Sequence, residues 1–81
     1  MQTVMGMVVD EVQRAQGHGL DYASDHEAIG VMLEEFEELK AEVWKKREHR
    51  DRRTMLNECV QVAAVAIKWA ETLRRKLGGG E

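Results

Sequence analysis

The chain has 81 residues, a net charge of −3, one cysteine and no proline. This length permits one domain, and so short a chain buries only about 60–65% of the surface that its unfolded form exposes, so one copy makes a marginal core. An apolar fraction of 43% beside 33% charged residues is typical of helical globular proteins and excludes a disordered chain. The negative charge balance gives no general attraction to nucleic acid or to an anionic membrane.

The single cysteine and the first residues indicate where the protein works. Cys59 has no second cysteine for an internal disulfide, and this fits a reducing cytoplasm. The apolar residues 1–9 have no basic segment before them and are followed by Asp10 and Glu11, so we expect neither a signal peptide nor a membrane span. We therefore expect a cytoplasmic protein with no membrane partner.

The first predicted helix runs from Thr3 to about Gln16, where apolar residues recur at intervals of three and four. Gly17-His18-Gly19 ends it. Ser24 and Glu27 then have the spacing of a capping box, which predicts the start of a long second helix. Its core stripe is predicted to contain Ile29, Met32, Phe36, Leu39 and Val43.

The second helix is expected to reach Lys45, Lys46 and Arg47, which complement the negative end of its dipole. The polar segment 48–53 is interpreted as a turn, although it has no glycine or proline and a continuous helix is the alternative. A third helix is predicted over Thr54 to Leu77, with a loose tail after Gly78. Its stripe comprises Leu56, Cys59, Ala63, Ala66, Ala70, Leu73 and Leu77.

The middle of the third helix is apolar on nearly all sides, interrupted only by Gln61 and Lys68. A helix of this kind is covered on most of its surface, and two sister helices do not suffice. We therefore predict a small all-α bundle of three main helices, completed by oligomerisation as a homodimer or a tetramer.

Acidic residues are the candidate functional groups. The run from Glu34 to Glu38 contains acids at i,i+3 and i,i+4 spacing that repel one another on a helix, by roughly 0.2–0.5 kcal/mol per pair. Glu58 lies at the margin of the most apolar surface of the third helix, where an ionised carboxylate must be paired, protonated or bound to a metal. Glu35, Glu38 and Glu58 on two facing helices are therefore predicted to converge on one cation, for which Mg²⁺ is the natural candidate.

The acidic pattern resembles that of the MazG-like, all-α nucleoside triphosphate pyrophosphohydrolases, whose signature is E-E-x-x-E followed, after a spacer, by E-x-x-D. Glu34-Glu35-Phe36-Glu37-Glu38 supplies the first half, and Glu58-Cys59-Val60-Gln61 occupies the second. The chain departs from the pattern at Gln61, which replaces a charged aspartate with a neutral amide. It also lacks the further helix that usually completes the family's four-helix module.

The resemblance implies a function. Glu35, Glu38 and Glu58 would bind Mg²⁺ (or Mn²⁺), with Gln61 as a weak fourth ligand. Glu34 would be a neighbouring catalytic residue that binds a second ion or orients water. The substrate would be a nucleoside triphosphate, split into a monophosphate and pyrophosphate in nucleotide house-cleaning or pool control. Lys45 and Arg53, from the basic segment, would meet its phosphates.

Each of these interpretations has an alternative without a binding role. The glutamates alone also fit a solvated helix face, and the protein would then be a scaffold or an inactive, oligomeric binding module. Trp44 and Trp69 are expected to fill the core or an interface, not to stack on a base. His18 and His26 are expected to be a loop residue and an exposed first-turn residue, and Cys59 a buried, inert thiol.

Overall fold

The computed structural model describes residues 2–17 and 21–78, and within those ranges it is helical with no strand. Helix α1 spans Val4–Gln16, α2 spans Asp25–Val43 and α3 spans Arg52–Gly78, with a short 3₁₀ turn at Arg47–His49. The prediction of an all-α chain with three main helices is confirmed. Of the predicted turn and tail, His18, Gly19 and residues 79–81 lie outside the described residues.

The first two helices begin with side-chain caps, and the cap at Ser24 is the one that the sequence predicts. The Thr3 hydroxyl accepts a hydrogen bond from the Gly6 amide at 3.0 Å, and the Ser24 hydroxyl accepts one from the Glu27 amide at 3.0 Å. The Glu27 carboxylate in turn accepts from the Ala23 amide at 2.6 Å, one residue before the position that a standard capping box uses. Both caps satisfy backbone donors that a helix start leaves free.

The chain reverses between α2 and α3 through residues 44–51, so the continuous-helix alternative is wrong. Helix α2 ends at Val43, and Lys45 therefore lies beyond its last turn, contrary to the prediction. The buried Glu42 carboxylate fixes this connection, because it accepts from the Asp51 amide at 2.7 Å and pairs with the Lys45 ammonium at 2.9 Å. Arg50 donates from Nε to the Val43 carbonyl at 2.9 Å and covers the end of α2.

Helix α3 begins two residues before the predicted Thr54. The Asp51 carboxylate accepts hydrogen bonds from the amide of Arg53 at 2.9 Å and from the hydroxyl of Thr54 at 3.1 Å, as an N-terminal cap does. The helix therefore starts at Arg52, where the cap satisfies its first free donors.

Helix α3 is the centre of the fold, since the main packing interfaces join α2 to α3 and α1 to α3. The arrangement is thin, with principal extents of 51 × 31 × 19 Å. Among the described residues no large side chain is fully buried. The hydrophobic core consists of Val8, Ala28, Val60, Ala64 and Val65.

The predicted core stripes of α2 and α3 contribute none of these buried residues, although Met32, Leu39 and Val43 of α2 are half-buried. On α2 Ala28 is fully buried, whereas Ile29 and Phe36 are 40% and 49% exposed. On α3 the apolar stripe that includes Cys59 lies outside, and the prediction of a buried thiol is wrong. Apart from Lys68, the side chains that α3 buries against its neighbours are small or β-branched, and the regular 3-4 stripe lies on the far side of the helix. The residues buried on α3 are Val60, Ala64, Val65, Lys68 and Thr72.

The two tryptophans occupy different environments. Trp44 is 74% exposed at the end of α2, so it is not a core residue. Trp69 is half-buried and donates a hydrogen bond from its indole nitrogen to Asp25 Oδ1 at 2.9 Å, which ties α3 to the first turn of α2. Across residues 2–17 and 21–78, none of the helices combines the length and the apolar character needed to cross a bilayer.

Candidate functional site

Three carboxylates from two helices meet at the interface of α2 and α3. Glu35 and Glu38 lie one turn apart on α2, and Glu58 comes from α3, which runs back along α2 after the connection. One carboxylate oxygen from each of the three lies within 4.8 Å of the other two. We refer to Glu35, Glu38 and Glu58 as the acidic triad.

The triad is partly shielded from water. Glu35 and Glu58 are half-buried, and Glu38 is exposed at the outer edge. Glu58 Oε2 is inaccessible to solvent and has no hydrogen-bond partner among the described residues. Buried polar atoms in folded proteins nearly always have a partner, and an ionised oxygen without one is particularly costly. This oxygen therefore calls for a proton or a cation.

The electrostatics of the triad agree with its geometry. Burial raises the pKa of Glu58, and the adjacent Glu35 raises it further. Burial likewise raises the pKa of Glu35, and the negative charges of Glu38 and Glu34 add to this, whereas a hydrogen bond with Glu58 acts in the opposite direction. A hydrogen bond with Glu58, and then the negative charge of Glu58, raise the pKa of Glu38, whereas a hydrogen bond with Glu35 lowers it less. The fully ionised triad is thus unfavourable on its own, and a divalent cation would relieve both the burial cost and the repulsion.

The other predicted acids lie around the triad. Glu34 is exposed, and its charge contributes to the raised pKa values of Glu35 and Glu38, so it is a neighbour of the triad. Glu37 is also exposed but is not part of the triad. Glu42, which extends the glutamate column in the sequence, is engaged by the chain connection and is structural.

Gln61 lies one helical turn after Glu58, on the side of α3 that faces α1. It is half-buried and lines a groove of about 390 Å³ between the two helices. The groove has a polar wall that includes carboxylates, amides and a guanidinium. Its lining residues are Gln2, Met7, Asp10, Glu11, Arg14, Asn57, Val60 and Gln61.

Of the two residues predicted to meet phosphates, Lys45 is already paired with the buried carboxylate of Glu42. Lys45 also lines a separate groove of about 510 Å³ with Lys46 and His49, and no member of the triad contributes to it. Arg53 is exposed on the first turn of α3. Within the described ranges no contact joins either side chain to the triad.

A different cation, Arg14 of α1, lies near the triad. Its guanidinium pairs with Glu11, and this contact raises the pKa of Arg14, with a smaller contribution from the charge of Glu35. Arg14 is thus a positive charge at the border between the triad and the α1–α3 groove. The sequence gives no signal for this, because the proximity of α1 to Glu35 depends on how both helices pack on α3.

A second basic residue, for which the sequence predicts no role, is Lys68. Its side chain is only 7% exposed, and its ammonium lies 4.4 Å from the centre of the Tyr22 ring, a favourable cation–π contact. Lys68 is two turns beyond Gln61 and therefore shares its side of α3. Nearby, the Thr72 hydroxyl donates to Asp21 at 2.9 Å, and Asp21 also pairs with Arg75.

Chemically, the triad presents only carboxylate oxygens, in a half-buried position with a deficit of positive charge. Such a set suits a hard divalent cation such as Mg²⁺ or Mn²⁺ and does not suit a metal that prefers imidazole or thiolate.

Comparison of the chain with protein families, with characterised proteins and with solved structures finds no match.

Proposed function

We propose that the acidic triad binds Mg²⁺ and that the chain hydrolyses a nucleoside triphosphate to a nucleoside monophosphate and pyrophosphate. Two observations carry the proposal: one oxygen from each of three carboxylates on two helices lies within 4.8 Å of the other two, and Glu58 has a buried, unpartnered oxygen. Isolated surface glutamates rarely hold an oxygen in this state, since water would satisfy it.

The choice of reaction rests on the resemblance to MazG-like pyrophosphohydrolases. Glu34, Glu35 and Glu38 occupy the first half of that family's motif, Glu58 occupies the second, and the all-α frame is of the same type. The departure at Gln61 weakens the expected metal site by one negative charge. Pyrophosphohydrolysis is thus the reaction that the acidic pattern favours, with Gln61 as its weakest element.

The residues of this chain would have distinct roles. Glu35, Glu38 and Glu58 would hold the metal, which supplies a nucleophilic water at neutral pH and neutralises phosphate charge. Glu34, exposed beside the triad, would orient that water and accept its proton. The water oxygen would bond to the phosphorus nearest the nucleoside. The bond between the first and second phosphates would break, and pyrophosphate would leave with the bonding electron pair. Arg14 would attract the polyphosphate, taking the place that the sequence assigned to Lys45 and Arg53.

The proposal is tested by incubating the purified protein with Mg²⁺ and each common and non-canonical nucleoside triphosphate, and by measuring monophosphate and pyrophosphate in equal amounts. Glu58→Gln should abolish product formation, because it removes the buried ligand without changing side-chain size. Glu37→Gln is the matched control on the exposed side of α2 and should keep full activity. Absence of product across the panel would refute the enzymatic function.

Gln61→Asp tests the placement of the motif. Restoring the family's acid should tighten Mg²⁺ binding and raise the rate of pyrophosphate release, because a fourth negative charge joins the site. Calorimetric titration with Mg²⁺ gives the affinity, and Asn57→Asp, in the same α1–α3 groove, adds the same charge one turn away as a control. Weaker binding in Gln61→Asp would mean that Gln61 does not face the metal.

A second candidate function is an inactive, metal-binding or nucleotide-binding module that works as an oligomer. The observation that favours it is the position of Gln61 in the α1–α3 groove, beside Glu11 and Arg14. Mg²⁺ binding that is lost in Glu35→Ala and Glu58→Ala, together with no turnover of any triphosphate, would establish this module. A wild type that binds no Mg²⁺ would refute the hydrolase and the metal-binding form of the module, and would favour a module that works as an oligomer without metal.

A further inference from the structure

The apolar surface of α3 has no partner among residues 2–17 and 21–78. We define the α3 stripe as the series with alternating spacings of three and four residues through three successive heptads, which are the spacings of a coiled-coil seam. It consists of Leu56, Cys59, Ala63, Ala66, Ala70, Leu73 and Leu77.

This stripe is exposed along the length of the helix. Leu56 and Leu73 are 39% and 40% exposed, Leu77 is 88% exposed, and Cys59 also lies on the surface. At 3.6 residues per turn, the centre of the stripe lies roughly 160° around α3 from the centre of its buried arc. The α3 stripe therefore faces away from both α1 and α2.

The exposed surface continues onto the neighbouring helices. On one side, Ile67 of α3 borders Val9 of α1 in a shared groove, and Val9 is 50% exposed. On the other side, Trp69 of α3 lines a groove with Ile29 of α2. The three helices thus form a layer with one broad apolar face centred on α3, whereas Gln61, Lys68 and the α1–α3 groove with Arg14 lie toward the opposite side.

The amount of exposed surface matches what a dimer would bury. A compact monomer of 9.3 kDa has an accessible surface of about 5,000 Å². This chain has 6151 Å², an excess of about 1,200 Å². Stable protein interfaces bury about 800 Å² per partner, and obligate homodimers bury more. An interface with one equal partner on the apolar face would therefore bury most of this excess.

We propose that a second copy of this chain docks on the α3 stripe, with the two α3 helices antiparallel and crossing near Ala66. The small side chains of Ala63, Ala66 and Ala70 allow two helices to approach closely at the middle of the stripe. Leucines lie near its two ends, and an antiparallel pairing places Leu56 against the partner's Leu77. This orientation also sets the positive end of each helix dipole beside the negative end of the other.

The interface is tested by sedimentation of the full chain over a dilution series, with circular dichroism to verify helix content. Wild type should sediment as a dimer. Ala66→Glu should raise the dimer dissociation constant more than about 100-fold, because each copy would bury an unpaired carboxylate. Met5→Glu, which adds the same charge at a 73% exposed position of α1, should leave it unchanged. A monomeric wild type, or a dimer lost in Phe36→Glu and kept in Ala66→Glu, would overturn the proposal.

The orientation is tested by cysteine cross-linking. In the antiparallel arrangement the two Cys59 residues lie about 22 Å apart along the helices, too far for a disulfide. Ala66→Cys in a Cys59→Ser background should form a disulfide-linked dimer under mild oxidation, whereas wild type should not. Efficient linkage through Cys59 would show that the helices are parallel and would overturn the antiparallel docking.

Discussion

Replacement of Glu58 by glutamine gives opposite effects in the absence and in the presence of Mg²⁺, and this makes it the most informative perturbation of the triad. Glutamine keeps the size of the side chain and removes its charge. In the metal-free protein, Glu58→Gln should raise the melting temperature, since it relieves both the burial of a charge and its repulsion by Glu35. With Mg²⁺ the stabilising effect of the ion should be lost.

The size of the metal-free effect follows from the geometry. Two unit charges at 4.8 Å repel by about 0.9 kcal/mol in bulk water and about 3.5 kcal/mol at an effective dielectric constant of about 20. Glu35 and Glu58 are both partly exposed, so solvent screening favours the lower value, about 1 kcal/mol. For a chain of this length, a gain of that size in the free energy of unfolding corresponds to an increase of about 4–8 °C in melting temperature.

Differential scanning calorimetry at neutral pH and fixed protein concentration measures both effects. For the wild type, Mg²⁺ at about 100 times its dissociation constant should stabilise the fold by about 2.7 kcal/mol. Glu58→Gln should show little of this increase, and the exposed control Glu37→Gln should behave like wild type in both conditions. A metal-free Glu58→Gln that melts at or below the wild-type temperature would refute the argument that the triad is repulsive.

Three further predictions concern the fold and its dependence on pH. The folded-state pKa values of the triad are raised, so the metal-free folded protein holds protons that the unfolded chain releases. Its thermal stability should therefore fall as the pH rises from the ordinary glutamate pKa through the raised values. Mg²⁺ should flatten this decline, and a decline unaffected by Mg²⁺ would contradict the assignment. Glu42→Gln should lower the melting temperature, since it weakens the contacts with Asp51 and Lys45, whereas the exposed Glu48→Gln should have no effect. Gly30→Ala should raise stability by about 0.5–1 kcal/mol in chemical denaturation, because a methyl group there meets no atom within 4 Å; a loss of stability would contradict this.

The agreement between sequence and structure differs from one feature to another. The start of α2 was predictable because its cap is local: the Ser24 hydroxyl accepts from the backbone amide of Glu27, three residues on. The end of α2 was not predictable, because it depends on a contact between Glu42 and Asp51, nine residues later. The prediction of which α3 stripe is buried was also wrong. Hydrophobic periodicity identifies an apolar side of a helix but not the partner that covers it.

The sequence by itself determined the helical class, the number of helices and the acids most expensive to leave unpaired, because these follow from spacing along one helix. Only the tertiary structure decided that α3 packs between two neighbours through small and β-branched residues. That packing brings Glu58 to Glu35 and Glu38, brings Arg14 near Glu35 and leaves the regular heptad stripe outside. The physical reason is that distances between helices depend on side-chain volumes at their contacts, which a one-dimensional pattern does not contain.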